Sequence, residues 1–188
     1  MTHIFGDFKD CPPNTQEYFM FGFSPHSKIS FKELWETNGL LADFFTNYLT
    51  IFYRDRDTQA LKEDVSFIAN ELLENARKFN DQTAKDPIKV QFQLYNDRLI
   101  LCVMNSVPTK NVDGFQSFLP ELLRSNPHEL FRRQIEQGKK AGSTKASKLG
   151  LQTIIKDYEE ATLGWKFDKV KQSPEKIVVT TMVQLAIG

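Results

Sequence analysis

Much of what would sort this chain into a function class is missing from it. No sign of charge dominates: 24 Lys+Arg balance 24 Asp+Glu, so the net charge is zero. Without a basic excess there is no electrostatic footprint for nucleic acid or an anionic membrane. Cysteine is scarce, with Cys11 and Cys102 only, which fits a reduced cytosolic protein better than a disulfide scaffold. No apolar run approaches the roughly 20 residues of a membrane span. The opening MTHIFGDFKD lacks the basic flank and apolar core of a signal peptide. There is no internal repeat and no low-complexity tract. What remains is a cytoplasmic, globular chain of 188 residues, enough for a single domain with a proper core.

What the chain does have is periodicity. From Thr58 to Asn80, residues Leu61, Val65, Ile68, Leu72, Ala76 and Phe79 recur at spacings of three and four. That spacing marks one face of an amphipathic helix. Glu71, Asn75 and Lys78 form a polar strip at the edge of the same face, as a helix roofing a cavity over a sheet would need. On spacing alone, an ordinary amphipathic helix with a polar flank is the better account of the pattern. Asp57 is a fair N-cap for this helix.

Upstream, residues 1–16 show no period and read as an irregular arm. Tyr18 to Phe23 is a short aromatic strand stopped at Ser24-Pro25, suited to core packing, with self-association as the other use. Ser30-Phe31-Lys32-Glu33 is a capping box with Ile29 and Leu34 as its hydrophobic staple. The helix it opens carries Phe31, Leu34, Leu41, Phe45, Tyr48, Leu49 and Phe52.

Downstream of Asp86-Pro87 the period becomes two. Ile88, Val90, Phe92 and Leu94 alternate with Lys89, Gln91 and Gln93, predicting a strand with one wet face. Leu99 to Met104 is apolar on both faces and predicts a central strand. A helical period returns from Val112 through Phe115, Phe118, Leu119, Leu122 and Leu123. Asn126, Pro127 and Glu129 read as N-cap, N1 and N3 of a short helix stopped at Gly138, with His128 as a polar residue of its first turn. Lys139 to Lys148 is a basic, small-residue loop running into a helix at Leu149 to Tyr158. Strands around Gly164–Phe167 and Ile177–Ile187, joined by a turn at Ser173-Pro174, close the chain.

The order of residues adds a resemblance. Asn70 to Phe79, NELLENARKF, closely resembles the N-box of the GHKL superfamily, the ATP-binding fold of histidine kinases, gyrase and anti-sigma-factor kinases. The resemblance implies that Asn75 ligates Mg²⁺ and that Glu71 is a general base. The spacing suits the chemistry, because an i, i+4 pair shares a helix face and Mg²⁺ needs only one or two protein oxygens beside phosphates and water. Lys148-Leu149-Gly150-Leu151 resembles the Gly-x-Gly-Leu box that closes the ATP lid, preceded by Gly142 and Ser143 in the loop. Thr181 to Leu185 is similar to the last-strand motif whose threonine reaches adenine. Asn105 stands where the superfamily has the adenine-reading aspartate of Asp-x-Gly-x-Gly, and both glycines of that box are absent. An asparagine carbonyl accepts a hydrogen bond as the carboxylate would, and its NH₂ can donate to a ring nitrogen.

These departures and the N-terminal extension narrow the likeness to the SiaB-type family, kinase-like regulators found in cyanobacteria and other bacteria. That resemblance implies an α/β (α+β) two-layer sandwich, with a mixed, mainly antiparallel sheet and helices on one face. Residues 58–188 would form the nucleotide-binding core, with 1–57 packed on it as an extension. It further implies a Ser/Thr protein kinase using Mg²⁺-ATP on a small cytosolic partner protein, opposed by a PP2C-type phosphatase. Lys78 and Lys148 are candidate phosphate contacts, and each reads equally as a solvent-facing lysine. The alternatives are a catalytically inactive regulator of the same fold and a pocket for a different flat ligand; a homodimer is left open. No phospho-accepting histidine helix precedes the N-box, since His3 and His26 lie outside helical context.

Overall fold

The computed structural model describes all residues except 11–16, 25–30, 55–57, 131, 134–135, 137–148, 159, 171–175 and 188, and only the backbone of 31–38 and 149. The described chain runs β1 (Thr2–Gly6), β2 (Glu17–Phe23), α1 (Phe31–Phe52), α2 (Gln59–Phe79), β3 (Ile88–Leu94) and β4 (Arg98–Val107). It continues through α3 (Thr109–Arg124), α4 (Leu149–Asp157), β5 (Ala161–Val170) and β6 (Lys176–Ala186). A further helical stretch lies at 127–130, where the Asn126 side chain accepts from the backbone N–H of His128 at 3.0 Å and of Glu129 at 3.2 Å. That is the cap expected from the sequence. Ser30 with its box, Asp57, Gly138, residues 139–148 and the turn at Ser173-Pro174 lie outside the described residues.

The strands form one six-stranded sheet in the order β1-β5-β6-β4-β3-β2. Where the sequence leaves room for a mixed sheet, all five pairings are antiparallel. β4 sits inside the sheet between β3 and β6, as its two-sided apolar character predicts. The helices cover one face. Val65, Ile68, Leu72 and Ala76 of the predicted stripe are buried, joined by Ala69 and Leu73, because α2 packs on both α1 and β4; Leu61 is only partly buried and Phe79, in the last turn, is exposed. Leu41, Phe45 and Leu49 bring α1 into the same core, where the Phe45 ring stacks on Phe92 at 4.4 Å between centroids. Each such side chain contributes about 1.5–3 kcal/mol of burial free energy.

Two expectations are corrected. Residues 1–16 are not an irregular arm throughout: Thr2–Gly6 is the edge strand β1, paired with β5 from Thr2↔Asp168 to Gly6↔Gly164. Five residues are too few to show a period, and the partner lies at the far end of the sequence. The second correction concerns the wet face of β3. Gln93 is fully buried there and its Oε1 accepts a hydrogen bond from the Tyr95 hydroxyl at 2.8 Å. Tyr95, Ile100, Cys102 and Met182 form a small apolar cluster on this second face, with Phe8 packed against it.

Phe8 arrives there because the chain turns back after β1. Gly6 has φ 68°, a conformation open to glycine and strained for other residues. Residues 7–10 then lie over the sheet: the Asp7 carbonyl accepts from Gln184 Nε2 at 3.1 Å, and Lys166 Nζ reaches Asp10 at 2.9 Å. Gly164 permits this approach, since a Cβ on it would stand 2.5 Å from the Phe8 Cα.

Candidate functional site

Between α2, α3, α4 and the helix-facing side of the sheet lies a cavity of about 440 Å³. That is the size of a small-ligand pocket. Its floor is the sheet: Val103, Asn105 and Val107 of β4 beside Val179 and Thr181 of β6. Register fixes this arrangement, with Val103↔Thr181, Asn105↔Val179 and Val107↔Ile177 as direct neighbours, so their side chains share one face. The roof is the edge of α2, with Leu72, Asn75, Ala76 and Phe79, and Leu151 of α4 closes one side. The opposite wall is α3, whose Lys110, Asn111, Gly114, Phe115 and Phe118 face inward.

The residues singled out by sequence divide into three groups. Asn75, Asn105, Leu151 and Thr181, from four elements, meet on this one cavity. Glu71, Lys78 and Gly150 do not line it. Lys78 is exposed, with its Nζ 6.0 Å from the Phe79 ring centroid. Gly150 is buried directly against Glu71, so that a Cβ there would overlap the carboxylate. Gly142, Ser143 and Lys148 lie outside the described residues, as does the Leu149 side chain.

Asn105 is held from two sides. β4 continues past it to Val107, because the chain has no glycines there to break the strand. Asn80, buried at the end of α2, accepts from the Ser106 N–H through Oδ1 at 3.2 Å, and the Asp81 N–H donates to the Ser106 carbonyl at 2.8 Å. The Asn105 NH₂ donates to that same carbonyl at 3.3 Å. With the NH₂ engaged on its own strand, Oδ1 is the atom left for an incoming donor. Asn75 has the opposite character: its amide nitrogen is buried without a hydrogen-bond partner. An unsatisfied buried amide costs stability, so a polar partner is missing beside this cavity.

Glu71 sits one turn before Asn75 on α2. Burial, and after it the charge of Glu74, raise its carboxyl above the usual range. Lys110 is the only charged residue among the described residues lining the cavity. Asp81 nearby is pulled down chiefly by its hydrogen bonds from Thr83, with a smaller contribution from Lys110.

Several site residues escape the sequence reading. Phe115 and Phe118 read only as core, whereas they also wall the cavity. Asn80 and Ser106 carry no motif, and their role exists only once the end of α2 meets β4. Lys110 and Gly114 had a signal: they stand four apart, in register with Phe118, where a helix face passes from polar to apolar.

No protein-family model matches the chain, and no curated protein matches it in sequence. Among the described residues no cluster of three or more His, Cys, Asp or Glu could hold a metal ion, and no helix is long and apolar enough to cross a membrane. A solved structure does match: the crystal structure of the SiaB–SiaC complex from Pseudomonas aeruginosa, with a TM-score of 0.58. Sequence identity is 17%, over 90% of this chain and 89% of that one. At that identity the likeness fixes the fold, and the chain has the architecture of this SiaB–SiaC neighbour, an α+β sandwich with one helix-covered sheet face.

Proposed function

We propose that this chain is a partner-switching regulator that holds Mg²⁺-ATP in the cavity beneath α2 and phosphorylates a Ser or Thr of a small cytosolic partner protein. Support comes from the convergence of Asn75, Asn105 and Thr181, far apart in sequence, on one cavity of nucleotide size. The structural neighbour, itself a complex of two proteins, is consistent with action through a partner. A PP2C-type phosphatase would reverse the modification.

The residues fit a nucleotide. Val103 and Val179 give a base ring an apolar floor, and Asn105 Oδ1 is placed to accept from an exocyclic amino group. The Thr181 hydroxyl stands on the neighbouring strand of the same floor. The Asn75 side-chain oxygen would be the protein ligand of the metal, and its buried NH₂, which has no hydrogen-bond partner, would donate to a phosphate oxygen. When bound, the metal would neutralise charge across the phosphates. Glu71 would take the proton of the acceptor hydroxyl, and its raised carboxyl pKa brings its basicity nearer to neutral pH.

One observation favours a second reading. The Glu71 carboxylate lies against Gly150 and is not on the cavity wall. A nucleotide pocket without a reachable base would make the chain a regulator that works by binding alone. Two experiments separate these. Calorimetric titration with Mg²⁺-ATP should give a Kd of roughly micromolar to millimolar, about −8 to −4 kcal/mol; neither heat nor a thermal shift at millimolar ligand would end the nucleotide reading. Labelled ATP is then mixed with the partner protein and either wild type or Glu71→Gln. Transfer by wild type, reduced ~10²–10⁴-fold in Glu71→Gln, supports the kinase. Partner binding with no transfer by either supports the second reading.

A further inference from the structure

We propose that α3 supplies two of this cavity's ligand contacts: a planar ring lies against its backbone at Gly114, and an anionic group reaches Lys110. The proposal rests on the nucleotide reading of the cavity and adds to it the residues that set which ligands enter.

α3 turns one continuous face to the cavity. Lys110, Gly114 and Phe118 are spaced by four, with Asn111 and Phe115 beside them. The deep end is aromatic and fixed, since Phe115 packs edge-on against Phe167 at 5.5 Å. The outer end is cationic. Gly114 lies between them.

A glycine inside a helix weakens it, so its presence calls for a reason. The other glycines near this region have theirs within the protein. Gly6 takes a positive φ, Gly164 admits the Phe8 backbone and Gly150 admits the Glu71 carboxylate. Gly114 has neither kind of reason. Its φ is not positive, and a Cβ built on it meets nothing within 4 Å. Gly39 of α1 shares that open surrounding, but it does not line this cavity. Gly114 is exposed and lines the cavity at its open side, and the absent side chain leaves the helix backbone available there as a flat wall. β4 stays extended through Asn105 to Val107, so the backbone that a ring can approach closely is offered by α3.

The ligand class follows from the wall's order. An apolar inner part, a bare backbone and, among the described residues, Lys110 as the one charged group of the lining suit a flat heteroaromatic ring joined to a phosphate. Lys110 also helps, after the hydrogen bonds from Thr83, to hold the Asp81 carboxyl below its usual value, so its charge is felt at the end of α2.

The experiment uses the full chain as wild type, Gly114→Ala, Gly114→Leu and Lys110→Ala, titrated calorimetrically with Mg²⁺-ATP and with adenosine, alongside thermal melts. Gly114→Ala should melt no lower than wild type, since alanine is the better helix former, yet bind both ligands more weakly. Gly114→Leu should lose at least about tenfold in affinity for both. Lys110→Ala should lose about tenfold for ATP and keep its adenosine affinity. Wild-type affinity for both ligands in both Gly114 variants, or equal loss of ATP and adenosine in Lys110→Ala, overturns the proposal while leaving the nucleotide reading in place. Failure of the wild type to bind either ligand overturns the nucleotide reading and this proposal with it.

Discussion

If the cavity holds a nucleotide as proposed, Asn105 is the residue that reads its base. One N–H of its NH₂ is engaged by the Ser106 carbonyl, and Oδ1 is the acceptor it would offer to a base. Asn105→Asp keeps an acceptor in that place and should hold ATP at least as well by calorimetry. Asn105→Leu leaves the ligand's amino group unpaired and should lose about 1–3 kcal/mol of binding; unchanged affinity would mean that the base lies elsewhere. Glu71 has a pH signature of its own. Burial first, and Glu74 second, raise its carboxyl in the folded chain. A carboxyl raised on folding stabilises the fold in full below its unfolded pKa, and that stability is lost as pH rises through the folded value. Glu71→Gln is uncharged at every pH. Its melting temperature should therefore exceed that of wild type near neutral pH, and the gap should close as pH falls into the ordinary carboxylate range. A gap independent of pH would assign the difference to packing. Both residues could be picked out of the sequence because their motif surroundings are local, whereas Lys110 and Gly114 matter only through what faces them across the fold.

Elements were legible where their period was long and their neighbours few. α2 shows its face over six turns: four of the six stripe residues are buried, Leu61 is partly buried and Phe79 at the end is exposed, while Ala69 and Leu73 join the core once α1 is in place. β3 and β4 follow from alternation and from its loss. The cavity's four converging residues could be placed on elements, but their meeting depends on a register that no single stretch encodes. β1 was illegible for the same reason, since five residues carry too little pattern to name a partner in β5. The second sheet face was misjudged because its cover, residues 7–10, comes from outside the strands that it covers. Gly164→Ala tests that cover. Its Cβ would stand 2.5 Å from the Phe8 Cα and N, and backbone cannot swing aside as a side-chain tip can. Displacing Phe8 should cost about 1–3 kcal/mol and bare the cluster that holds buried Cys102. In a Cys11→Ser background, Cys102 should then react with a thiol reagent much faster than in the Gly164 parent. Equal rates would show that Phe8 does not guard it.

At the scale of the molecule, β1 holds one edge of the sheet and β2 the other, while residues 7–10 lie over the face between. Removing residues 1–10 strips a strand from β5, and an unpaired edge invites association. The truncated chain should melt lower and scatter light in a concentration-dependent way; a monomer of unchanged melting temperature would show that the edge protects itself. The Thr2 hydroxyl bonds to Asp168, 166 residues away along the chain. A ribosome would release β1 long before β5 exists, so the first strand made is among the last that can pair. Pairings of such separation are slow to form. Until that closure the nascent β2, β3 and β4 can assemble with α1 and α2 while the Cys102 face stays open, and newly made chains would be most vulnerable to aggregation in that interval.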